Sequence, residues 1–470
     1  MAIPMEIMQK KRAKKPAMKP AMKPDYTKVK RPNGILYFIV YIILYPFLIL
    51  FFRLEVDRSG YKPPKGPFIV LCNHSSFMDF LLAMLVVYPK RLNAVAAQKF
   101  YLYKPLDKLL PVMGCIPKNL FDPDVRSIKR IMTVIKNGGH ILMYPEGRCS
   151  TDGVYAGIHT STGKLIKKLG IPVISCHIEG GYVCMPFWRK GIRLGRERVS
   201  LANLLSADDT QNKTVDEINA AIDDRLSGSE APPPPTRKPF RTFRARSLAE
   251  GLHNILYLCP KCGNEFTMET KGNTIRCTAC GNSAELDSEA KLNPSPGSVT
   301  PENIHEWFQL QVAHEQQRLG AVAACGGSGS GSCTNCTSAG GSSIDSDSDS
   351  AGDNDITCNT TRPIIEHVTV RKPAKKAGEG MECCGDGLLR LEPDGWHFNG
   401  TLYGESATLF FPIDTVPAIP FDPNDNFQIY AHGSFFMFTP DDARKCVKYA
   451  ILGECAYHLF ASRVCMTKAP

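Results

Sequence analysis

Eighteen consecutive uncharged residues, ILYFIVYIILYPFLILFF from Ile35 to Phe52, set the first limit on how this chain can fold. A helix of that length rises about 27 Å, close to the hydrocarbon thickness of a bilayer. Its apolar side chains surround it on every side, so a soluble core would have to enclose it completely. Pro46 lies inside the run and removes one helical hydrogen bond. A cleaved signal peptide is the competing reading, but Arg53-Leu54-Glu55-Val56-Asp57 offers no small-residue cleavage site. Residues 35–55 are therefore expected to remain as a hydrophobic membrane anchor.

The charge sits beside that anchor. Residues 1–33 hold ten Lys/Arg against Glu6 and Asp25, a net +8 out of the formal +10 of the whole chain. The segment 1–34, with its KPAMKPAMKP repeat, is a basic tail that cannot bury a core and is expected to be disordered. The remainder is nearly balanced, which argues against a basic groove and against a nucleic-acid partner.

At 470 residues the chain has room for two to four domains. Between 56 and 226, strand-like runs (PFIVLCN, NAVAAQKF, HILMYP, IPVISCHI) alternate with helical ones (FLLAMLVV, DVRSIKRIMTVIK, STGKLIKKLG). That alternation predicts an α/β domain with a largely parallel sheet. In the second helix Val125, Ile128, Ile131, Met132 and Ile135 form the expected core stripe, with Gly138-Gly139 as the stop. A Pro-rich linker follows at 227–247. Then come a cysteine module at 248–290, a helix at 300–320 starting at Pro301 behind Thr300, a Ser/Gly-rich linker at 321–362, and a β-rich α+β module at 363–470. The last module ends in a helix from Asp441, capped by Thr439. Its strand-rich order resembles that of pleckstrin-homology and GRAM-like lipid-associated modules in architecture alone.

The eighteen cysteines lack the spacing of a secreted disulfide framework. Cys259-x2-Cys262 and Cys277-x2-Cys280, fourteen residues apart and each followed by Gly-Asn, have the spacing of a zinc ribbon. Four protein thiolates would fill the coordination sphere, so a structural Zn2+ is expected. Cys333-x2-Cys336 has no second pair. Cys115, Cys149, Cys176 and Cys184 read as buried thiols.

One stretch carries chemistry. In NHSSFMDF, Asn73 to Phe80, the plain reading is a capping box, with Ser76 starting a helix and Asp79 reaching back to the Ser76 backbone N–H. The same arrangement leaves His74 in the turn before the helix, free to fold toward Asp79. A carboxylate on Nδ1 fixes the tautomer and leaves Nε2 as a general base.

NHSSFMD resembles the His-x4-Asp signature of the glycerolipid acyltransferases, the PlsC-like superfamily of lysophosphatidic acid acyltransferases. YPEGRCS, Tyr144 to Ser150, is similar to that family's Phe-Pro-Glu-Gly-Thr-Arg-Ser block. GIPVISCHIEGGY resembles its last block, with Ser175 where a second proline is usual. Three blocks in order over residues 56–200 imply an O-acyltransferase, with His74 as base and Asp79 as its partner. Arg148 and Glu146 would then form the phosphate and acceptor site, and Gly147 would allow close approach of the backbone. Lys118, in GCIPKNLFD, stands where the family has an arginine and would add a point charge.

The resemblance implies acyl-CoA or acyl carrier protein as donor, a lysophospholipid as acceptor, foremost 1-acylglycerol-3-phosphate, and a role in phospholipid biosynthesis. A single span with the +8 tail in the cytosol would put the domain on the other side, away from those donors. The expectation is thus a monotopic or re-entrant anchor broken near Pro46, at the cytosolic face and in contact with membrane lipids. The alternative is a non-catalytic membrane scaffold acting through the ribbon and the C-terminal module.

Overall fold

The structure, a computed structural model, describes residues 29–121, 124–228, 242–244, 247–325, 364–374, 378–431 and 434–467. The tail before residue 29, most of the 227–247 linker and the Ser/Gly-rich stretch with Cys333 and Cys336 lie outside the described residues.

Helix α1 (Gly34–Phe51) runs unbroken through Pro46, where the sequence suggests a break. Its flank is packed on the domain that follows. Tyr37 and Leu48 are each 1 % exposed, the Tyr37 hydroxyl donates to the Met84 carbonyl (3.0 Å), and Tyr41 stacks on Tyr88. The opposite side turns Ile35, Phe38, Ile39, Ile42, Ile43 and Phe47 outward.

After the edge strand β1 (Glu55–Gly60) come β2 (Ile69–Cys72), α2 (Asp79–Val86), β3 (Leu92–Ala97), α3 (Leu106–Val112) and β4 (Ile116–Lys118). They are followed by α4 (Val125–Lys136), β5 (His140–Met143), α5 (Ser161–Leu169) and β6 (Val173–Glu179). Strands β6-β2-β5-β3-β4 lie side by side and parallel. Strand Arg198–Leu205 is antiparallel to β6, and β1 pairs parallel with it at the edge. The sheet is largely parallel, as the strand–helix alternation predicts.

Both faces of the sheet are covered, which is why β2 reads as an uninterrupted apolar run. Val70 and Cys72 point to a core shared with α1 and α2. Ile69 and Leu71 point to the opposite core, with Ile131 of α4, Ile166 of α5 and Ile222 of helix Val215–Leu226. In α4 the buried line is Ser127, Ile131 and Val134, while Val125 and Met132 of the expected stripe face outward. Asp124 caps the helix, its carboxylate accepting from the Arg126 and Ser127 amides.

The ribbon is a four-stranded antiparallel sheet. The next helix, Ile304–Cys325, starts behind Asn303 rather than Thr300, because the Asn303 side chain accepts from the Glu306 amide (2.9 Å). Trp307 and Gln311 of that helix bond to the backbone of Ile255, Tyr257 and Leu258. The C-terminal module is a seven-stranded antiparallel sheet closed by helix Cys446–Thr467. That helix starts later than Asp441, because Asp442 caps a preceding turn through the Arg444 amide. One apolar cluster joins Leu256, Trp307, Trp396, Phe427 and Leu452, so ribbon, helix and C-terminal sheet share a core.

Candidate active site

Because β2, β3, β4 and β5 run in the same direction, their carboxyl ends open on one edge, where open α/β sheets hold ligands. His74 follows β2, Lys99 follows β3, Lys118 ends β4, and Tyr144 to Cys149 follow β5. All of them line a cavity of about 1180 Å³.

The His74 turn is built around one carboxylate. Asp79 is fully buried, and its Oδ2 accepts from the Ser75 amide (2.7 Å) and the Ser76 amide (2.8 Å) while lying 3.1 Å from His74 Nδ1. Its Oδ1 accepts from the Ser76 hydroxyl (2.8 Å). The capping contact expected from sequence is therefore present, although helix α2 begins at Asp79 itself rather than at Ser76. The His74 side chain is 19 % exposed, toward the cavity.

The other two blocks hold this turn. The Asn73 side-chain amide pairs with both backbone groups of Ile178 (2.9 and 2.8 Å), and a Cβ on Gly181 would lie 2.7 Å from Ser75 Oγ. A glycine is needed there to let the third block close on Asp79. From the second block, Glu146 accepts from the His74 amide (2.6 Å) with one oxygen and the Ala156 amide (3.1 Å) with the other. Glu146 thus braces the loops, and its contacts are to backbone rather than to Arg148. Burial pushes its carboxyl up to about 7 against the pull of those two amides. Gly147 adopts φ +76°, a backbone conformation that favours glycine, with the Phe121 ring beside it.

Two findings on this edge were not expected from sequence. Cys149 is not a buried bystander: its sulfur lies 3.2 Å from Nε2 and 3.6 Å from Nδ1 of His74. The sulfur thus lies within hydrogen-bonding distance of Nε2, the nitrogen that faces away from Asp79. When YPEGRCS is set without gaps against Phe-Pro-Glu-Gly-Thr-Arg-Ser, Cys149 takes the arginine's place and Arg148 the threonine's. Burial opposes a charge on the imidazole, but the Cys149 sulfur and the Asp79 carboxylate outweigh it and raise the His74 pKa well above that of a free histidine. The second finding is that Arg148 is held by Glu454 of the C-terminal helix, through both guanidinium nitrogens. Lys118 lines the same cavity, with Nζ 3.1 Å from the Asn119 carbonyl.

In the ribbon, the Cys259–Cys280 and Cys262–Cys277 sulfurs are 3.6 and 3.8 Å apart, and all four fall within 4.8 Å of one another. Tetrahedral zinc with bonds of about 2.3 Å implies sulfur separations near 3.8 Å, so this set fits the ion. Thr267 Oγ1 (3.3 Å from Cys277) and Asn282 Nδ2 (3.8 Å from Cys259) form the outer contacts such sites use.

Residues 53–179, which contain His74, Asp79 and the Glu146–Cys149 turn, match the family model described as Acyltransferase. This segment is an acyltransferase-family domain. Residues 253–282 match a zinc-ribbon family described as the DNA-directed RNA polymerase 7 kDa subunit. The chain is 26 % identical over 190 residues to a chloroplastic 1-acyl-sn-glycerol-3-phosphate acyltransferase of Brassica napus, covering 38 % of this chain and 53 % of the relative. It is 25 % identical over 154 residues to the chloroplastic enzyme of that name from Arabidopsis thaliana, covering 32 % and 42 %. The chain thus spans about half the length of these curated relatives. A solved structure of the acyltransferase PlsC from Thermotoga maritima is similar at 20 % identity and TM-score 0.36, over 42 % of this chain and 80 % of that one. The acyltransferase domain carries its three motif blocks on the same sheet edge, and the ribbon and C-terminal module are additions beyond it.

Proposed function

We propose that this protein transfers a fatty acyl group from acyl-CoA or acyl carrier protein to the hydroxyl of a lysophospholipid, foremost 1-acylglycerol-3-phosphate, as a step of phospholipid synthesis. The observation that carries the reading is His74, clamped by a fully buried Asp79 and facing a cavity larger than the roughly 300–1,000 Å³ usual for small-molecule sites.

In this reaction His74 Nε2 takes the acceptor's hydroxyl proton as the oxygen attacks the thioester carbonyl. The tetrahedral intermediate then collapses, the carbon–sulfur bond breaks, and the thiolate leaves with the proton that His74 returns. Asp79 holds the tautomer and balances the imidazolium. Arg148 and Lys118 are the cations for the acceptor's phosphate, while Glu146 and Gly147 shape the turn that presents Arg148. Four ribbon cysteines, Cys259, Cys262, Cys277 and Cys280, hold a structural zinc. The outward apolar side of α1 lies in the cytosolic leaflet and brings the cavity to its lipid acceptor; exposed Phe77 and Leu109 at the cavity support that orientation.

The test is incubation of the purified full chain with labelled acyl-CoA, or acyl carrier protein, and a panel of lyso-acceptors. Wild type should yield diacyl product, and His74→Ala should yield none while still binding vesicles. Product formation by His74→Ala would exclude the mechanism.

A further inference from the structure

The residue assigned to the acceptor's phosphate already carries an oxyanion. Glu454, 306 positions downstream of Arg148, places one carboxylate oxygen on each terminal guanidinium nitrogen, with Nη2 to Oε2 at 2.9 Å. This two-pronged arrangement is the one arginine uses for phosphate as well as for carboxylate. Both side chains are 26 % exposed, so the pair is within reach of whatever enters the cavity.

Glu454 is held there by the C-terminal module. Its neighbour Gly453 lies so close to Ile419 that a Cβ would meet Cδ1 at 2.2 Å, and Tyr457, three residues on and so on the same helix face, lines the cavity. A second cation of the cavity is matched in the same way: Lys99 Nζ lies 3.2 Å from Asp422 Oδ1 of that module. Two cations of the cavity are therefore paired from within the chain before any substrate arrives.

We propose that Glu454 is an intramolecular competitor for Arg148: a resident carboxylate that a phosphate-bearing acceptor must displace and a neutral headgroup need not. This rests on the reading of Arg148 as the acceptor's phosphate site. The physical argument is one of exchange. Every acceptor whose phosphate binds Arg148 meets the same competitor, so its apparent affinity is lowered by the same factor. A monoester, with about −1.5 to −2 charges at pH 7, and a phosphodiester, with one, both offer the charge and acceptor oxygens that replace the carboxylate. A neutral monoacylglycerol brings no charge to compete.

The experiment compares 1-acylglycerol-3-phosphate, lysophosphatidylcholine and monoacylglycerol as acceptors for wild type, Glu454→Gln and Glu454→Gln in an Arg148→Gln background. Removing the competing charge should lower the KM for both phosphate-bearing acceptors by up to about fivefold, the range expected for a partly exposed ion pair, and leave the KM for monoacylglycerol unchanged. The preference for a phosphate-bearing acceptor over monoacylglycerol in kcat/KM should rise by a similar factor, and neither effect should persist once Arg148 is gone. A raised KM for the phosphate-bearing acceptors would mean that Glu454 only props Arg148 and would overturn the proposal, as would a KM that falls equally for monoacylglycerol. Wild type that turns over no acceptor would sink the acyltransferase reading itself, whereas turnover with an unchanged preference in Glu454→Gln would sink only the role of Glu454.

Discussion

The Cys149 sulfur lies 3.2 Å from Nε2 of His74, close enough that the thiol shapes both the space around the base and its affinity for a proton. Alkylation of Cys149 with a maleimide should therefore block acyl transfer, and Cys149→Ser should be active and resistant to the reagent. Equal sensitivity of the serine variant would place the critical thiol elsewhere.

The same contact has a pH consequence. On the proposed mechanism His74 works as a base when neutral, and its pKa is raised, so the rate should climb with pH through a midpoint above the ordinary histidine value near 6.5. Replacing the sulfur in Cys149→Ser removes one of the causes of the rise, and the acid limb of kcat/KM should move to lower pH. A limb that stays in place would show that Asp79 alone sets it.

Asp79 accepts from two backbone amides and a hydroxyl besides facing Nδ1, so Asp79→Asn changes both charge and hydrogen-bond polarity at a fully buried point. Activity should drop at least about a hundredfold, because the base loses its tautomer lock. Thermal stability should fall too, by about 1–3 kcal/mol for amides left facing a donor. A variant with near wild-type activity would remove Asp79 from the mechanism.

Glu146 predicts a slope rather than a loss. Its carboxyl is raised to about 7 in the fold against about 4.5 unfolded, so between those values the folded chain holds the extra proton. Stability then declines as pH rises through that window, by about 3 kcal/mol in total. Glu146→Gln cannot titrate, and denaturant melts from pH 4.5 to 7.5 should show a shallower decline for it than for wild type. Identical slopes would assign the decline to other groups.

How far the sequence reached depends on the distance over which each feature is determined. His74 and Asp79 were legible because five residues and a cap fix their geometry locally, and the ribbon because its spacing alone brings four sulfurs together. The partner of Arg148 was not legible, since Glu454 arrives from a module 306 residues away and no local pattern marks it. The strand Glu55–Gly60 was missed for a different reason: an edge strand of mixed polarity, EVDRSG, lacks the period-two signal. The placement of Cys149 was not legible either, because its contact with His74 joins two turns 75 residues apart.

Helix α1 separates two kinds of apolar residue. Tyr37 and Leu48 are inside the protein, whereas Ile39, Ile42, Ile43 and Phe47 face outward. Replacing the outward four with serine should release the protein from vesicles in a flotation assay and leave its melting temperature nearly unchanged. Replacing Leu48 with serine should do the reverse and lower stability by about 2–5 kcal/mol, the usual range for gutting a buried leucine site. Loss of stability without loss of vesicle binding in the four-residue variant would mean that the outward face is covered by protein.

Removing zinc should be felt at the active site, well beyond the ribbon. The four cysteines that would hold the ion sit in a ribbon whose leading segment, Ile255 to Leu258, anchors Trp307 and Gln311, and that helix shares its core with the C-terminal module that carries Asp422 and Glu454 to the cavity. A structural zinc contributes folding free energy directly, so its loss loosens everything packed on the ribbon. The full chain should carry one zinc by elemental analysis. Treatment with a strong chelator should raise hydrogen exchange first in the ribbon and then along residues 304–319 and 446–460, while the β2 and β5 amides stay protected. If exchange rises in the ribbon alone, the ribbon is a passive attachment and the path from Cys277 to Glu454 does not exist. If it rises along the whole path and the KM for 1-acylglycerol-3-phosphate falls with it, the metal holds the carboxylate that Arg148 meets.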